Sequence, residues 1–541
     1  MFHNDDYNLI VAFLTGVLLH AIVFSNYEWD RRTISIFSSF FASYLILAIV
    51  LAYVGDRSWA ALAVASAYNI FLLGGLFSSM TVYRTILHPL KSFPGPVAAR
   101  VTSLWLFKQN IPNLNFYVKL RSLHDQYGDF VRIRPREISI CHSDAIVDVH
   151  GPRTKMRKGE FYDQTYPLHT LQFIRDHDLH REQRKYWDRA FQTTVLQGYL
   201  PRLTTHYAIA MSIFAKHAAS RKPIDVSGTF LELFFDVISD LTFGKSFDNL
   251  TTKQRSPIVA DFLKGHKALG FFLINMPILH FVRGLRKLRN SKRDRDIWYD
   301  AALHARSKMQ TNTFDIYTYL SQSSGFQNNT LSEAKLAVVA GADTNAITVA
   351  NVCYLLCRYP EIQVKLYSEL SDLPSLGGII DDQYLVNKSY LTGIINETLR
   401  LYPPVPSGLQ RLTPPQGAMI AGRYIPGNMN VTTPTYSLQR DPRAFVYPND
   451  FIPERWSTQP KLILRKDAFI PFGYGAYSCA GKPLAMLQLR MVVAMVFKRF
   501  TVSFAPGKEA ACCDFIENQA DCFTLHLQPL PLVLEERRSS R

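Results

Sequence analysis

The sequence predicts a mainly α-helical body with a minor β region, preceded by three N-terminal transmembrane helices. Three long apolar stretches fill residues 1–82 and set them apart in composition from the remainder. Apolar residues then recur with helical spacing through most of residues 196–402. A chain of 541 residues accommodates several average domains, but one large catalytic unit with a membrane anchor fits it equally well.

Residues 1–82 are predicted to form the membrane anchor. The predicted spans are about 8–24, 33–54 and 59–82, and the last two reach the roughly 20 apolar residues that cross a bilayer. A secretory signal peptide is the alternative for the first stretch, but Asp5 and Asp6 stand where a signal carries Lys or Arg. Basic residues follow the first and third stretches: Arg31, Arg32, Arg84 and Lys91. The positive-inside tendency therefore predicts a lumenal N-terminus and a cytosolic body.

Residues 83–97 are predicted to be a proline-rich linker, because Pro89, Pro94 and Pro96 deny this segment a regular helix. The catalytic body is predicted at 98–541. A further apolar stretch at 268–281 is too short to span a bilayer and is expected to be a buried or interfacial segment.

The β region is predicted from short alternating segments. FVRIR at 130–134 and EISIC at 137–141 flank a turn at Pro135, and a second strand pair is expected about Gly422.

Charge and cysteine usage exclude several classes of protein. The 60 Lys and Arg against 44 Asp and Glu give a net charge of +16, which favours anionic partners such as acidic lipids or an acidic protein face. Nucleic acid is not expected as a partner, because the basic residues are dispersed and no nucleic-acid-binding motif accompanies them. The seven cysteines show no CxxC pair and no regular spacing, so they indicate neither a zinc site nor a disulfide scaffold.

The most informative motif is PFGYGAYSCAGKPLA at 471–485. Phe472, Gly475 and Gly481 surround Cys479, and an apolar helix is expected to follow. Backbone N–H groups of the loop and the positive end of that helix favour the thiolate, which is the form of cysteine that binds metal. A buried free cysteine is the alternative, and the glycines and the aromatic residue argue against it.

This FxxGxxxCxG pattern, followed by a helix, resembles the haem-thiolate loop of cytochrome P450 monooxygenases. The resemblance implies the cytochrome P450 fold, a haem b cofactor and Cys479 as the axial ligand of its iron. Two residues before the cysteine the family usually carries a basic residue that pairs with a haem propionate, whereas this chain has Tyr477. A phenol can hydrogen-bond a carboxylate but does not neutralise it.

Two further motifs stand in the order that the family shows. Glu397 and Arg400 in NETLRLYPP lie three residues apart on one helical face, and PERW with Arg455 lies between them and the cysteine. Taken alone, the ExxR pattern indicates no more than an ordinary surface ion pair. The resemblance implies instead a buried structural triad of Glu397, Arg400 and Arg455.

The AGADT sequence at 340–344 lies within a helix-like run. Thr344 can bond back to the carbonyl of Ala340, and Gly341 lowers the cost of opening the helix there. The alternative is an ordinary core helix that happens to contain two polar residues. The free-energy cost of burying Asp343 without a partner argues against that alternative. The resemblance gives Thr344 and Asp343 the catalytic roles of orienting and supplying protons during oxygen activation.

Three basic residues are matched to the haem propionates by the same resemblance. His180 and Arg184 are one helical turn apart, and Arg411 lies in SGLQRLTP. Because Tyr477 carries no charge, these three are expected to do more of the neutralising.

The predicted reaction is hydroxylation or epoxidation of a hydrophobic small molecule with O2. No flavin or nicotinamide motif is present, so NADPH and flavin are expected to act only through a separate NADPH-cytochrome P450 reductase. The resemblance implies an endoplasmic reticulum membrane location, contact with membrane lipids and, from the SGLQR and FPGP context, fungal secondary-metabolite biosynthesis. The expected pocket segments are 162–173, 339–345, 405–409 and the turn near Cys522 and Phe523.

Two alternatives remain from the sequence. A haem-thiolate isomerase or dehydratase would keep the cofactor without redox turnover, and the intact Asp343 and Thr344 argue against it. A multispan membrane protein that binds a lipid or a protein partner would need no haem at all.

Overall fold

The computed structural model describes residues 2–25, 28–54, 58–166, 169–252, 256–273, 276–287, 294–309, 315–322 and 329–537. The α-helices are α1 (Phe2–Leu18), α2 (Thr33–Val54), α3 (Ser58–Val82), α4 (Val97–Val101), α5 (Leu104–Asn110), α6 (Phe116–Tyr127), α7 (Asp144–His150), α8 (His177–Ala190), α9 (Thr193–Ser220), α10 (Val226–Phe243), α11 (Pro257–Leu273), α12 (Met276–Lys287), α13 (Asp294–Lys308), α14 (Ile316–Leu320), α15 (Thr330–Arg358), α16 (Pro360–Leu370), α17 (Ser389–Leu401), α18 (Thr435–Leu438), α19 (Lys482–Arg499) and α20 (Glu509–Glu517).

The strands are short and few. They are β1 (Phe130–Arg134), β2 (Glu137–Ile140), β3 (Arg157–Lys158), β4 (Ile224–Asp225), β5 (Arg411–Leu412), β6 (Ala418–Ile420), β7 (Arg423–Ile425), β8 (Asn430–Thr432), β9 (Phe500–Phe504), β10 (Ala520–Cys522), β11 (Thr524–His526) and β12 (Pro531–Glu536). The predicted mainly helical fold with a minor β region is therefore confirmed, and so are the strand pair before residue 141 and the hairpin about Gly422.

The chain folds into two compact units. The first comprises residues 1–109, 130–139 and 272–291, and the second comprises 110–129, 140–271 and 292–541.

The first unit holds the three predicted N-terminal spans. Its helices are long and apolar enough to cross a membrane over Asp6–Phe24, Asp30–Val54 and Trp59–Leu87. Most of their large apolar side chains are exposed, as expected for surfaces that face lipid. The same unit contains α12, whose Phe281 ring packs edge-on against Phe37 of α2, 5.6 Å between ring centroids. The end of the short apolar stretch at 268–281 thus contacts the anchor.

Small residues bring α1 and α3 together in this anchor. A Cβ atom at Gly75 would overlap the carbonyl oxygen of Phe13, so the two helices approach backbone to backbone. The contact is extended by His20, whose Nδ1 lies 2.9 Å from the Ser79 hydroxyl. The anchor is therefore a packed helix pair with α2 alongside, where Tyr44 and Ser66 share a hydrogen bond.

We expect Gly75→Leu to separate α1 from α3, whereas Gly74→Leu is tolerated. The side chain at Gly75 has no room, while a Cβ at Gly74 meets only the Phe13 ring, 4.0 Å away. Overpacking of this kind costs about 1–3 kcal/mol. The measurement is the fraction of full-length protein that stays monodisperse in detergent after heating. Equal losses in the two variants would contradict the packing.

The second unit is built around α15. This helix is also long and apolar enough to span a membrane, but 72% of its apolar window is buried inside the unit, so it is a core helix. It packs against α10 on one side and against α17 and α19 elsewhere. It also contacts β9 and β11. Strands β3, β5 and β8 are neighbours in one sheet, β4, β12 and β9 form another, and β10 and β11 form a hairpin.

Candidate active site

The Cys479 loop is a tight turn that ends at the start of α19. The Cys479 N–H donates to the carbonyl of Phe472, 2.8 Å away. Gly475 has φ +69°, and a Cβ there would overlap the carbonyl oxygen of His150, so only glycine fits this position. Gly481 is the N-cap of α19 and has ordinary backbone angles.

Solvent reaches the Cys479 side chain, but the protein atoms packed around its sulfur still weaken the hydration of the thiolate. Desolvation raises the pKa of Cys479. The backbone N–H groups of Gly481 and Lys482 and the charge of Arg184 act in the opposite direction. The sulfur is thus surrounded by the donors that the loop sequence predicts, and a bound metal cation would complete the stabilisation of the thiolate.

Helix α15 presents an accessible patch in the middle of an otherwise buried length. Val339 and Ala340 are exposed, and Thr344 is half-buried with its hydroxyl donating to the Ala340 carbonyl at 2.9 Å, as the sequence predicts. The helix is continuous through this segment, so Gly341 does not open it. Its missing side chain instead accommodates Ile238 of α10, which a Cβ would meet at 2.9 Å.

Asp343 is the buried acid of this segment. It is 4% exposed, and its Oδ2 has no hydrogen-bond partner among the described residues. Burial raises the pKa of Asp343 to about 7, and only the Thr524 hydroxyl opposes that effect. This carboxyl can therefore gain and lose a proton near neutral pH.

Asn345 connects α15 to the helix that follows the cysteine loop. Its amide donates to Gln488 Oε1 of α19 at 2.6 Å and to the Gly341 carbonyl at 3.1 Å. No sequence signal predicts this contact, because it joins two residues far apart in the chain.

The three basic residues predicted for the propionates lie around Tyr477 and the loop. The His180 ring is 4.6 Å from the Tyr477 ring, and burial lowers the pKa of His180 to about 3, so the ring is neutral unless an anion lies beside it. Arg184 donates to the Ser478 carbonyl at 2.5 Å and to Asp188 at 2.6 Å. Arg411 is 1% exposed, donates to the Tyr162 hydroxyl, and lies 4.9 Å from the Tyr477 ring centroid.

Lys158 is a fourth basic residue at this place, and sequence reasoning missed it. It is the cross-strand neighbour of Arg411 in the β3–β5 pair and is 3% exposed. Its Nζ donates to the carbonyls of Leu171 and Gln172 and lies 4.9 Å from the Tyr477 ring centroid. Burial, and then the charge of Arg411, hold the pKa of Lys158 well below its usual value. The pairing register of β3 with β5 places Lys158 beside Arg411, and the local sequence pattern does not reveal that register.

These residues fit the carboxylates of a haem. Arg411 Nε and the Tyr477 hydroxyl are buried without hydrogen-bond partners in the described part of the chain. Two buried basic side chains lie side by side here, and an anion would keep Lys158 protonated and satisfy the unpaired donors. Cys479 would supply the thiolate that haem iron requires.

The Glu397, Arg400 and Arg455 side chains form one fully buried cluster. Glu397 accepts from Arg400 at 2.7 and 2.9 Å and from Arg455 at 2.8 Å. The Ile452 N–H and the Trp456 indole also donate to it, at 3.1 and 2.9 Å. The cluster fixes α17 against the segment that precedes the cysteine loop.

The predicted turn near Cys522 and Phe523 meets the predicted segment 405–409 and the residue that precedes segment 162–173, of which residues 167 and 168 lie outside the described residues. The Phe161 and Phe523 rings stack with centroids 5.6 Å apart. Ser407 donates to Asp521 across the same region. Two aromatic side chains from separate parts of the second unit, Phe161 and Phe523, are therefore in contact.

Comparison with known proteins gives the same assignment. The family model described as cytochrome P450 matches residues 94–520. The cytochrome P450 monooxygenase nodW of Hypoxylon pulicicidum is 35% identical, covering 97% of this chain and 98% of that protein. Tryprostatin B 6-hydroxylase of Neosartorya fischeri is 32% identical, covering 86% of this chain and 85% of that protein. The chain therefore belongs to the cytochrome P450 family, and it is a monooxygenase that uses the haem-thiolate iron of that family.

Proposed function

We propose that this protein is a membrane-bound monooxygenase that hydroxylates or epoxidises a hydrophobic molecule of fungal secondary metabolism. The observation that carries the proposal is Cys479 held at the start of α19 by a loop whose N–H groups face its sulfur. The relatives include tryprostatin B 6-hydroxylase of Neosartorya fischeri, which supports hydroxylation of a small organic molecule. The apolar segments around Phe161 and Phe523 support the same substrate class.

The reaction consumes one O2, two electrons and two protons, and it yields the oxygenated substrate and one water. Cys479 would bind the haem iron, which supplies oxygen activation when bound. The haem carboxylates would be held by Arg411, Lys158 and the Tyr477 hydroxyl. Arg184 would stabilise the cysteine loop through its hydrogen bond to the Ser478 carbonyl. Asp343 would hold a proton at its unpaired Oδ2. The Thr344 hydroxyl would orient the delivery of that proton.

Electrons would come from an NADPH-cytochrome P450 reductase, since the sequence carries no flavin or nicotinamide motif. The net charge of +16 favours docking of an acidic partner face and of acidic membrane lipids.

The protein would be a multi-pass protein of the endoplasmic reticulum membrane. Residues 1–82 would form the anchor, 83–97 the linker and 98–541 the catalytic domain, with the N-terminus lumenal and the catalytic domain cytosolic. The distribution of Arg and Lys around the three spans supports this orientation.

The decisive experiment supplies microsomes that contain the protein with extracts of a producing fungus, NADPH and ¹⁸O2. We expect one extract component to gain a single heavy oxygen atom, and only when NADPH is present. A product that forms equally without NADPH would instead identify a haem-thiolate isomerase or dehydratase.

We expect Lys158→Met to weaken haem retention about tenfold or more, because a charge-assisted hydrogen bond contributes roughly 1.5–3 kcal/mol. Lys155→Met is the matched control, since Lys155 is exposed three residues earlier. Haem transfer to an apo-globin acceptor measures retention. If both variants retain haem like the wild type, Lys158 does not hold a carboxylate.

A further inference from the structure

Three arginines of the first unit lie close together where the third span ends. Arg132 of β1 is the central one: its Nη2 donates to the carbonyl of Arg84 at 3.0 Å, and its Nη2 and Nε donate to the carbonyl of Pro135 at 2.7 and 3.2 Å. Gly95 brings the linker against the same strand, because a Cβ there would overlap the carbonyl oxygen of Arg132. Arg132 therefore lies beside the backbone of both the span and the linker.

The other two guanidinium groups lie around α4, which packs against β1 and against the end of the third span. Arg84 donates from Nη1 to the Val101 carbonyl at 2.7 Å. Arg100 donates from Nη2 to the Phe93 carbonyl at 3.3 Å. In the described part of the chain, every hydrogen-bond acceptor of these three side chains is a main-chain carbonyl. We call Arg84, Arg100 and Arg132 the arginine cluster.

Two nitrogen atoms of the arginine cluster are buried without a partner. Arg132 is completely buried, and its Nη1 has no hydrogen-bond partner among the described residues. The Nε of Arg100 is also buried and unpaired there, although the Arg100 side chain as a whole is half-buried. Glu137, the acid at the start of β2, pairs with Arg134 instead, 3.2 Å away. Burying a guanidinium group without a compensating charge is costly, so this arrangement favours an added anion.

The electrostatic environment of the cluster is strongly positive. Burial, and then the charges of Arg100 and Arg84, lowers the pKa of Arg132 to about 10, so the group stays protonated at neutral pH. Burial, and then the charge of Arg132, also lowers the pKa of the neighbouring linker residue His88 to about 3. An anion beside Arg132 would reverse both charge effects.

The surroundings of the cluster indicate where such an anion comes from. Large apolar side chains stay exposed on both sides of it in the sequence: Ile86, Leu87, Val97 and Leu104 are 54–69% exposed. Exposed apolar residues interleaved with basic ones are typical of a segment at the boundary between lipid headgroups and acyl chains. The anions at that depth are the phosphate groups of acidic lipids, and the forked donors of Arg match the geometry of phosphate.

We propose that the arginine cluster binds the phosphate group of an acidic phospholipid at the membrane surface. The phosphate oxygens would accept hydrogen bonds from Arg132 Nη1 and Arg100 Nε, and the phosphate charge would compensate the buried guanidinium group. Solvent and lipid would reach the cluster from the half-buried side chains of Arg84 and Arg100. One bound lipid would thereby fix the junction of span and linker at the membrane surface. The inference rests on the proposed membrane location.

The test measures thermal unfolding of full-length, haem-loaded protein in phosphatidylcholine nanodiscs that contain increasing amounts of phosphatidic acid. We expect phosphatidic acid to raise the unfolding temperature of the wild type, and Arg100→Gln to weaken its binding about tenfold because a charge-assisted hydrogen bond is lost. Lys91→Gln is the matched control, since Lys91 is an exposed residue of the same linker and loses the same charge. It should change the affinity less than about twofold. Equal losses in the two variants would overturn the site, because they would indicate diffuse attraction to a basic surface.

Arg132→Gln separates lipid binding from a purely structural role. This variant loses the hydrogen bonds to the carbonyls of Arg84 and Pro135, so its stability should fall in either membrane. Each protein is therefore compared with itself in neutral and in acidic nanodiscs, which cancels that general loss. We expect the stabilisation by phosphatidic acid to disappear in Arg132→Gln, and an undiminished stabilisation would overturn the proposal. If Arg132→Gln does not accumulate, the comparison of Arg100→Gln with Lys91→Gln decides.

Inorganic phosphate distinguishes the two sources of the phosphate group. Added to wild-type protein in neutral nanodiscs, it should bind at least about tenfold more weakly than phosphatidic acid, because it lacks the acyl chains that hold the lipid in place. Equal affinity would overturn the lipid assignment and identify a soluble phosphate as the ligand. Alkaline carbonate extraction of microsomes tests the membrane location separately. Release of the protein would overturn that location, whereas retention together with no effect of phosphatidic acid would overturn the lipid site alone.

Discussion

Cys479→Ala is expected to abolish the thiolate–haem band in the carbon-monoxide difference spectrum and to reduce NADPH-dependent oxygenation by at least about a thousandfold. Removing the sulfur would remove the proposed ligand of the haem iron, and with it the electron density that favours O–O cleavage. No other cysteine substitutes for it, because the N–H groups of Gly481 and Lys482 point at this position alone. The size of the loss follows from the removal of a group on which every turnover depends.

Cys513→Ala is the matched control, because Cys513 is an exposed cysteine on α20. Its spectrum and activity should equal those of the wild type. The membrane fraction should contain equal amounts of both variants, since Cys479 makes no contribution to the anchor. A normal thiolate–haem band in Cys479→Ala would refute the assignment of the axial ligand.

Local sequence signals predicted the spans, the cysteine loop and the bond from Thr344 to Ala340. Each of these depends on residues within a few positions of one another, where spacing and backbone chemistry determine the outcome. The glycine at position 475 was also singled out by the local motif. The atom that excludes a side chain there, the His150 carbonyl oxygen, is nevertheless distant in sequence.

The features that the sequence did not predict depend on pairing between distant segments. Lys158, for example, reaches the site through the register of β3 with β5. The lowered pKa of His180 also follows from its burial beside Lys158, which no local pattern encodes. The expected opening of the helix at Gly341 was wrong, because Ile238 of α10 occupies the space that the glycine leaves.

Glu397→Gln is expected to be the most destabilising single change in the body, at about 3–5 kcal/mol. Glu397 is completely buried and accepts hydrogen bonds from both Arg400 and Arg455, which are themselves completely buried. The amide has the same shape, but it removes the carboxylate charge that pairs with both guanidinium groups, and its NH2 faces donors instead of accepting from them. The haem-loaded yield should fall severalfold, and the melting temperature of the remaining protein should fall with it.

Glu536→Gln provides the matched control for the triad. Its carboxylate pairs with Arg499 at 2.8 Å, but both side chains are substantially exposed, so the pair contributes less than about 1 kcal/mol. The two variants make the same chemical change and differ in burial and in the number of donors left unpaired. Thermal unfolding monitored by haem absorbance measures both. If Glu397→Gln unfolds at the temperature of Glu536→Gln, the buried charges of Arg400 and Arg455 are compensated by groups other than Glu397.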